Sequence, residues 1–462
     1  MNQKRQFAPG ETPELEAKGW SGHFASMRKD PLGTMEQASA MGDVVRLRFG
    51  PFYAYGVFHP AHAQHLLIKN ASNYEKQTRG YAKLRLLLGN GLVTSEGDFW
   101  RRQRRIANPA FHRERIAGFV RTMAEATDDL AKRWTAAATP SLLSNVSEDM
   151  MKLTLRIAGE TLCSRDLSKE ADQLGGSLKH VLEHFHWLTN APIPYPEYWP
   201  TWGNVRFWKS IHNIDTAIMK MIDERRHSPE VLHDLLAMFM EAVDEETGEQ
   251  MDDRQLLDES KTMLGAGHET TAVALSWAFY ILSQQPEVAD RIAKEAEAVL
   301  GDRLPTPSDV MNLTYTGQVF RETMRLYPPV WATARRAKEN DVIDGYPIPK
   351  GSIVFVGIRN IHRHPDYWDN PLKFDPERFS PEQVEARRKL PSGKFAYMPF
   401  IAGQRKCIGD HFALTEGTLI LAMLGQRFRF ERKPGYEDIP PEPRLTLRPT
   451  DGHMPLIIHS RS

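Results

Sequence analysis

The segment Phe400-Ile401-Ala402-Gly403-Gln404-Arg405-Lys406-Cys407-Ile408-Gly409 constrains this chain more than any other. It carries one of only two cysteines in 462 residues. A thiolate that ligates a metal needs help to stay ionised. Backbone N–H groups aimed at the sulfur give that help, and Gly403 and Gly409 let the loop turn tightly enough to aim them. Behind the loop, His411 to Leu424 reads as a mostly apolar helix. A thiolate near a helix N-terminus gains further from the dipole.

A second segment has the character of a site rather than of a core. The apolar spacing predicts one helix over Arg254 to Ser283, about eight turns at ~3.6 residues per turn. In its middle lies Gly265-Ala266-Gly267-His268-Glu269-Thr270-Thr271. Glycine and threonine are poor residues for a helix interior. A threonine hydroxyl there can bond the carbonyl one turn back and open the backbone ladder. The space so freed can hold water or oxygen.

Two further patterns are weaker alone. Glu322-Thr323-Met324-Arg325 places a carboxylate and a guanidinium at i,i+3 on one helix face. Leu326-Tyr327-Pro328-Pro329 then stops the helix, and Phe374-Asp375-Pro376-Glu377-Arg378-Phe379 brings another arginine. Trp100 and Arg104, in Trp-Arg-Arg-Gln-Arg-Arg, stand one turn apart and are both hydrogen-bond donors, suited to a carboxylate. Cys163, in Thr161-Leu162-Cys163, reads as a packed small hydrophobe.

Phe-x-x-Gly-x-Arg-x-Cys-x-Gly resembles the haem-binding loop of the cytochrome P450 superfamily, the haem-thiolate monooxygenases. Phe400, Gly403, Arg405, Cys407 and Gly409 occupy its specified positions. The family's Ala-Gly-x-Glu-Thr-Thr motif matches Ala266, Gly267, Glu269, Thr270 and Thr271. Its Glu-x-x-Arg motif matches Glu322 and Arg325, with Arg378 as third member of a buried ion network. Its Trp-x-x-x-Arg pattern matches Trp100 and Arg104. The resemblance covers nearly the whole chain. It implies haem b held by Cys407 on the iron. It further implies propionates met by Trp100, Arg104, Arg405 and either Arg335 or Arg336, and Ala266 against the cofactor. Thr270 would bond to the bound dioxygen and Glu269 would help relay protons. The implied reaction hydroxylates or epoxidises a small hydrophobic substrate. A peroxygenase or an isomerase using peroxides is the alternative, and the intact Glu269–Thr270 pair favours the monooxygenase.

The implied fold is mainly α with a small β-rich part, a single domain over 1–462. Strands are expected around 43–58, with a hairpin turning at Gly50-Pro51, and around 340–358. Helices are expected over Ile116–Trp134, Met150–Leu162, Val205–Arg225 and Pro286–Leu300. His362 and His364 are expected on the surface or in a turn. Lys and Arg total 59, balanced by 59 Asp and Glu, which argues against a nucleic-acid partner. The start at 1–6 is polar and no apolar run of ~18 residues exists, so neither a signal peptide nor a membrane anchor is expected. Two distant cysteines fit a reducing cytoplasm. No flavin or nicotinamide site is visible, so electrons are expected from a separate ferredoxin or flavodoxin with its reductase. Arg101, Arg102, Arg105 and Lys406 mark the side on which it would dock. The Gln77–Asn90, Leu182–Tyr198, Met263–Thr270 and Pro329–Ala334 segments are expected to line an apolar substrate pocket.

Overall fold

The computed structural model describes residues 12–17, 19–138, 140–167, 174–190, 196–228, 232 and 234–461. The start at 1–6 and residues 191–195 of the expected pocket lie outside the described residues. The chain divides into two compact units, Met1–Ala82 with Arg321–Cys407, and Lys83–Phe320 with Ile408–Ser462.

The first unit is built on a five-stranded sheet. Val44–Phe49 and Phe52–Val57 form the expected hairpin, with Val44 opposite Val57 and Phe49 opposite Phe52. Phe52–Val57 then pairs in parallel with Ile353–Val356, which pairs antiparallel with Thr333–Ala337 and through it Tyr74–Glu75. Apolar β-branched residues fill the covered positions: Val44, Val57, Val354 and Val356 are all fully buried. A second hairpin, Asp341–Ile343 with Tyr346–Ile348, turns at Asp344 and Gly345, both at positive φ as such tight turns require.

The second unit is helical around Asp253–Leu282, which is buried over most of its circumference and packs along Val146–Cys163. Asp252 and Gln255 close its N-terminus with a reciprocal capping box. Asp410–Arg427 packs on Pro286–Leu300 and on Val120–Ala137. Trp202–His227 and Pro286–Leu300 appear where the spacing predicts them. The helix expected from Ile116 is two, Arg113–Gly118 and Val120–Ala137, broken at Phe119. A sheet without a local signal joins Leu142–Asn145, Pro455–Ser460 and Phe428–Arg432.

Gly417 tests the packing of this unit. A Cβ on it would fall inside contact distance of the fully buried Phe320 ring. Alanine gains up to about 1 kcal/mol of helix propensity, but overpacking costs about 1–3 kcal/mol. Gly417→Ala should therefore lower the thermal unfolding midpoint by a few degrees. An unchanged or higher midpoint would show that the ring can move aside.

Candidate active site

The cysteine loop closes on itself. Cys407 N–H donates to the Phe400 carbonyl at 2.9 Å, and Lys406 N–H to the Gly403 carbonyl at 3.1 Å, across a short 3-10 turn at Gly403–Arg405. Gly403 sits at φ +76°, and a Cβ there would collide with the Leu67 carbonyl, so only glycine fits. The loop leaves the Cys407 side chain exposed. Cys163 is the opposite case. It is buried, its thiol bonds to the Gly159 carbonyl at 3.1 Å, and burial pushes it up to about 12. Of the two cysteines, Cys407 is the exposed one.

Glu322, Arg325 and Arg378 come together as the resemblance implies. Arg325 grips Glu322 through two bonds, Nε to Oε2 at 2.7 Å and Nη2 to Oε1 at 2.8 Å, with neither side chain exposed. Its remaining donors reach the carbonyls of His362, Pro371 and Lys373. Arg378 Nε lies 3.5 Å from Glu322 and its Nη2 bonds the Asp369 and Asn370 carbonyls. Burial raises the Glu322 carboxyl above its usual range, against the pull of Arg325. His362 is not on the surface. It is fully buried, accepts the Met398 N–H at 2.9 Å, and is pushed down to about 3 by burial and by Arg325. His364 is buried too. His362 lies in a turn as expected and His364 borders one, but both are buried rather than on the surface, because their partners are remote in sequence.

Arg335 and Arg336 separate cleanly. Arg336 is exposed, 3.9 Å from Glu75. Arg335 is buried on the strand Thr333–Ala337, with Nη1 bound to Thr333 Oγ1 at 2.9 Å and the Ala334 carbonyl at 2.8 Å. Its Nη2 is buried and has no hydrogen-bond partner among the described residues. Tyr81 lies beside it. Burial raises the Tyr81 phenol, but Lys76 and Arg335 outweigh that and hold it down at about 8. A buried cation with an unused donor and a cationic neighbour suits an anionic group such as a haem propionate. The sequence left Arg335 and Arg336 both open and gave no sign of Tyr81 or Lys76.

In the second unit, Trp100 and Arg104 share a face of the Gly97–Ala107 helix, Trp100 buried and Arg104 partly so. The outward arginines of this helix are not an open positive patch. Arg101 pairs with Asp98 and Arg102 with Glu249. Arg105 holds Asp244 through two bonds of 3.0 and 2.9 Å and pulls its carboxyl down to about 2. Two of these arginines meet carboxylates that the 244–249 loop returns to the helix, and the third meets one on the helix itself.

On the central helix, Thr270 Oγ1 donates to the Ala266 carbonyl at 2.8 Å, the one-turn-back bond expected. Glu269 is buried and accepts from Thr446 Oγ1 at 2.7 Å and Arg448 Nη2 at 3.2 Å. His268 bonds the Leu264 carbonyl through Nδ1 and is held neutral by burial. Glu416, unmarked by the sequence reading, is buried on the Asp410–Arg427 helix. Burial pushes its carboxyl up to about 8 against the opposing Thr271 hydroxyl, so it is protonated at neutral pH. A cavity of about 20 Å³ is lined by Leu87, Leu88, Ile214, Lys261, Leu264, Gly265 and His268. The Gln77–Asn90 and Met263–Thr270 segments thus both contribute walls. Ile214 and Lys261 were not foreseen, and Lys261 is buried against Asp215 at 2.9 Å.

Comparison with known proteins gives the class. The cytochrome P450 family model matches residues 16–456, across both units. The chain is 35% identical over 446 residues to cyclooctatin synthase of Streptomyces melanosporofaciens, covering 96% of this chain and 94% of that one. It is 35% identical over 429 residues to cyclooctat-9-en-7-ol 5-monooxygenase of the same organism, covering 93% and 90%. It is 30% identical over 436 residues to pentalenene oxygenase of Streptomyces avermitilis, covering 92% and 91%. The chain belongs to the cytochrome P450 family. It is a haem-dependent monooxygenase that uses molecular oxygen and a redox partner to oxidise a hydrophobic substrate. Among the described residues, no helix is long and apolar enough to cross a membrane.

The two cysteines make a direct test. Cys407→Ala should abolish the thiolate-type carbon monoxide difference spectrum and all monooxygenase activity, whereas Cys163→Ser should keep both. A normal thiolate spectrum in the Cys407 variant would remove Cys407 as the iron ligand.

Proposed function

We propose that this enzyme binds haem b through Cys407 and hydroxylates a terpenoid hydrocarbon or alcohol, with electrons from a ferredoxin or flavodoxin and its reductase in the cytoplasm. The intact pair Glu269–Thr270, with Thr270 bonded to Ala266, is the observation that carries the oxygen chemistry. When bound, a haem with a thiolate ligand supplies the electron push that favours O–O cleavage. Trp100, Arg104, Arg335 and Arg405 would hold its propionates, and Ala266 would leave room for its face. The Thr270 hydroxyl would turn its single proton from the Ala266 carbonyl to dioxygen. Glu269, fixed by Thr446 and Arg448, lies one residue away for proton relay. The unused Nη2 of Arg335 supports the propionate role. The terpenoid reading rests on the named substrates of the Streptomyces relatives.

Thr270→Ala should still bind haem and substrate while diverting reducing equivalents to hydrogen peroxide, since the dioxygen loses its donor. Unchanged coupling of electron use to product would exclude Thr270 from that role. Titrating the wild-type holoenzyme with cyclic terpenoids, fatty acids and steroids should give haem spectral shifts at the lowest concentration with terpenoids. Tighter binding of a fatty acid or steroid would overturn the substrate class but not the reaction.

A further inference from the structure

The central helix of the second unit carries one wall of a small cavity. Lys261, Leu264, Gly265 and His268 follow at i, i+3, i+4 and i+7, so they share one face of Asp253–Leu282. With Leu87, Leu88 and Ile214 they enclose about 20 Å³. That is room for one water molecule or one hydroxyl group. A Cβ on Gly265 would already sit 3.4 Å from Leu88 Cδ2, so glycine keeps the gap from closing.

Lys261 and His268 are the two polar side chains of this wall, and both are buried. The Leu264 carbonyl can only accept, so His268 Nδ1 carries the proton of their 2.7 Å bond. Burial holds the ring neutral, which leaves Nε2 as a lone-pair acceptor. Among the described residues nothing donates to it. The Lys261 ammonium has three N–H donors. It meets Asp215 at 2.9 Å and Asp258 at 3.4 Å, so at least one donor is left over. The wall thus has one acceptor and one donor to spare.

Few groups match both. A hydroxyl donates one hydrogen bond and accepts another, whereas a ketone or an ether only accepts and a hydrocarbon leaves both groups unpaired. A carboxylate would bring a third negative charge beside Asp215 and Asp258, and it has no proton for Nε2. Gly265 and Thr270 are five residues apart, a rise of about 7.5 Å along the helix, which a cyclic terpenoid can span. We propose that Lys261 and His268 read a hydroxyl group already present on the substrate, so that the enzyme oxidises a terpenoid alcohol, at a carbon remote from that hydroxyl, in preference to the parent hydrocarbon. This rests on the terpenoid reading above.

The test is spectral titration of the holoenzyme with two matched triplets: menthane, menthol and menthyl methyl ether, then androstane, androstan-3-ol and its methyl ether. Each triplet keeps the carbon skeleton and changes only the oxygen function. Within the triplet that binds better, wild type should bind the alcohol at least about tenfold tighter than the other two members. His268→Phe keeps a flat ring without the acceptor. It should bring the alcohol level with the hydrocarbon and leave the carbon monoxide spectrum unchanged. Lys261→Met should also level them; if loss of the ammonium beside Asp215 and Asp258 prevents folding, the histidine variant decides alone. Equal binding of all three members by wild type overturns the proposal. So does an alcohol preference that survives in His268→Phe, because the hydroxyl is then read elsewhere. Tighter binding of the steroid triplet would overturn the terpenoid class alone, and the comparison within that triplet would still decide the role of Lys261 and His268.

Discussion

The Glu322–Arg325 pair is the interaction on which most of the first unit depends. A guanidinium carries five N–H donors, and Arg325 uses all five: two on Glu322 and one each on the carbonyls of His362, Pro371 and Lys373. Glu322 in turn takes the Asp375 N–H at 2.9 Å. Two stretches of irregular chain, at His362 and at 371–375, are therefore fixed by one ion pair with no exposure. Lysine, with three donors on a point charge, could not close this set. Burying such a pair is weak evidence for stability as such, because desolvation offsets much of the attraction. Its value lies in geometry. His362, whose carbonyl Arg325 holds, receives the Met398 N–H, and Met398 O accepts the Ile401 N–H at 3.0 Å at the start of the cysteine loop. The loop is tied to the ion pair through the His362 side chain and one backbone hydrogen bond.

The central helix of the second unit solves a different problem, keeping two adjacent polar residues distinct. Side chains one residue apart on a helix point about 100° apart at 3.6 residues per turn. Glu269 therefore turns into the protein, where Thr446 and Arg448 hold it, while Thr270 on the next position bonds its own backbone at Ala266. Thr271 repeats the backbone bond to Gly267 at 3.3 Å. Residues with low helix propensity persist here because the buried remainder of a 30-residue helix and its capping box hold the segment helical.

The motifs were legible because their chemistry is local. Glu322 with Arg325, Trp100 with Arg104, and Gly403 with Cys407 are each separated by at most one turn of chain, and so were the helices that carry them. The strand bearing Arg335 was not. Thr333–Ala337 holds two arginines and two alanines, little of the β-branched pattern that announces a strand, and it exists because Ile353–Val356 pairs with it. The sheet of Leu142–Asn145, Phe428–Arg432 and Pro455–Ser460 gathers strands about 300 residues apart, beyond the reach of periodicity. The break at Phe119 follows Gly118, a residue that weakens a helix but that the apolar spacing runs through. Buried ionisable residues were least visible: Glu416 and Lys261 stand in helical patterns where exposed and buried charges read alike until the neighbouring helix is placed.

The same distinction between composition and placement governs a histidine cluster in the first unit. Side-chain atoms of Asp43, His59 and His364 lie within 4.8 Å of one another, a spacing compatible with a metal ion. The backbone argues otherwise. Ala61 N–H donates to His59 Nδ1 at 3.1 Å, and Asp366 N–H to His364 Nδ1 at 3.3 Å. Each Nδ1 must then be unprotonated, so in the neutral rings each Nε2 carries the proton. A metal at Nε2 would need the opposite tautomer, with Nδ1 as donor. The protons instead have matched acceptors. His364 Nε2 faces Asp43 at 3.4 Å. His59 Nε2 faces the Tyr367 hydroxyl at 3.4 Å, whose own proton goes to the Pro391 carbonyl at 2.7 Å. Two backbone amides thus convert a possible ligand set into a hydrogen-bond relay that ties the hairpin at Asp43 to the segments around His364 and Pro391.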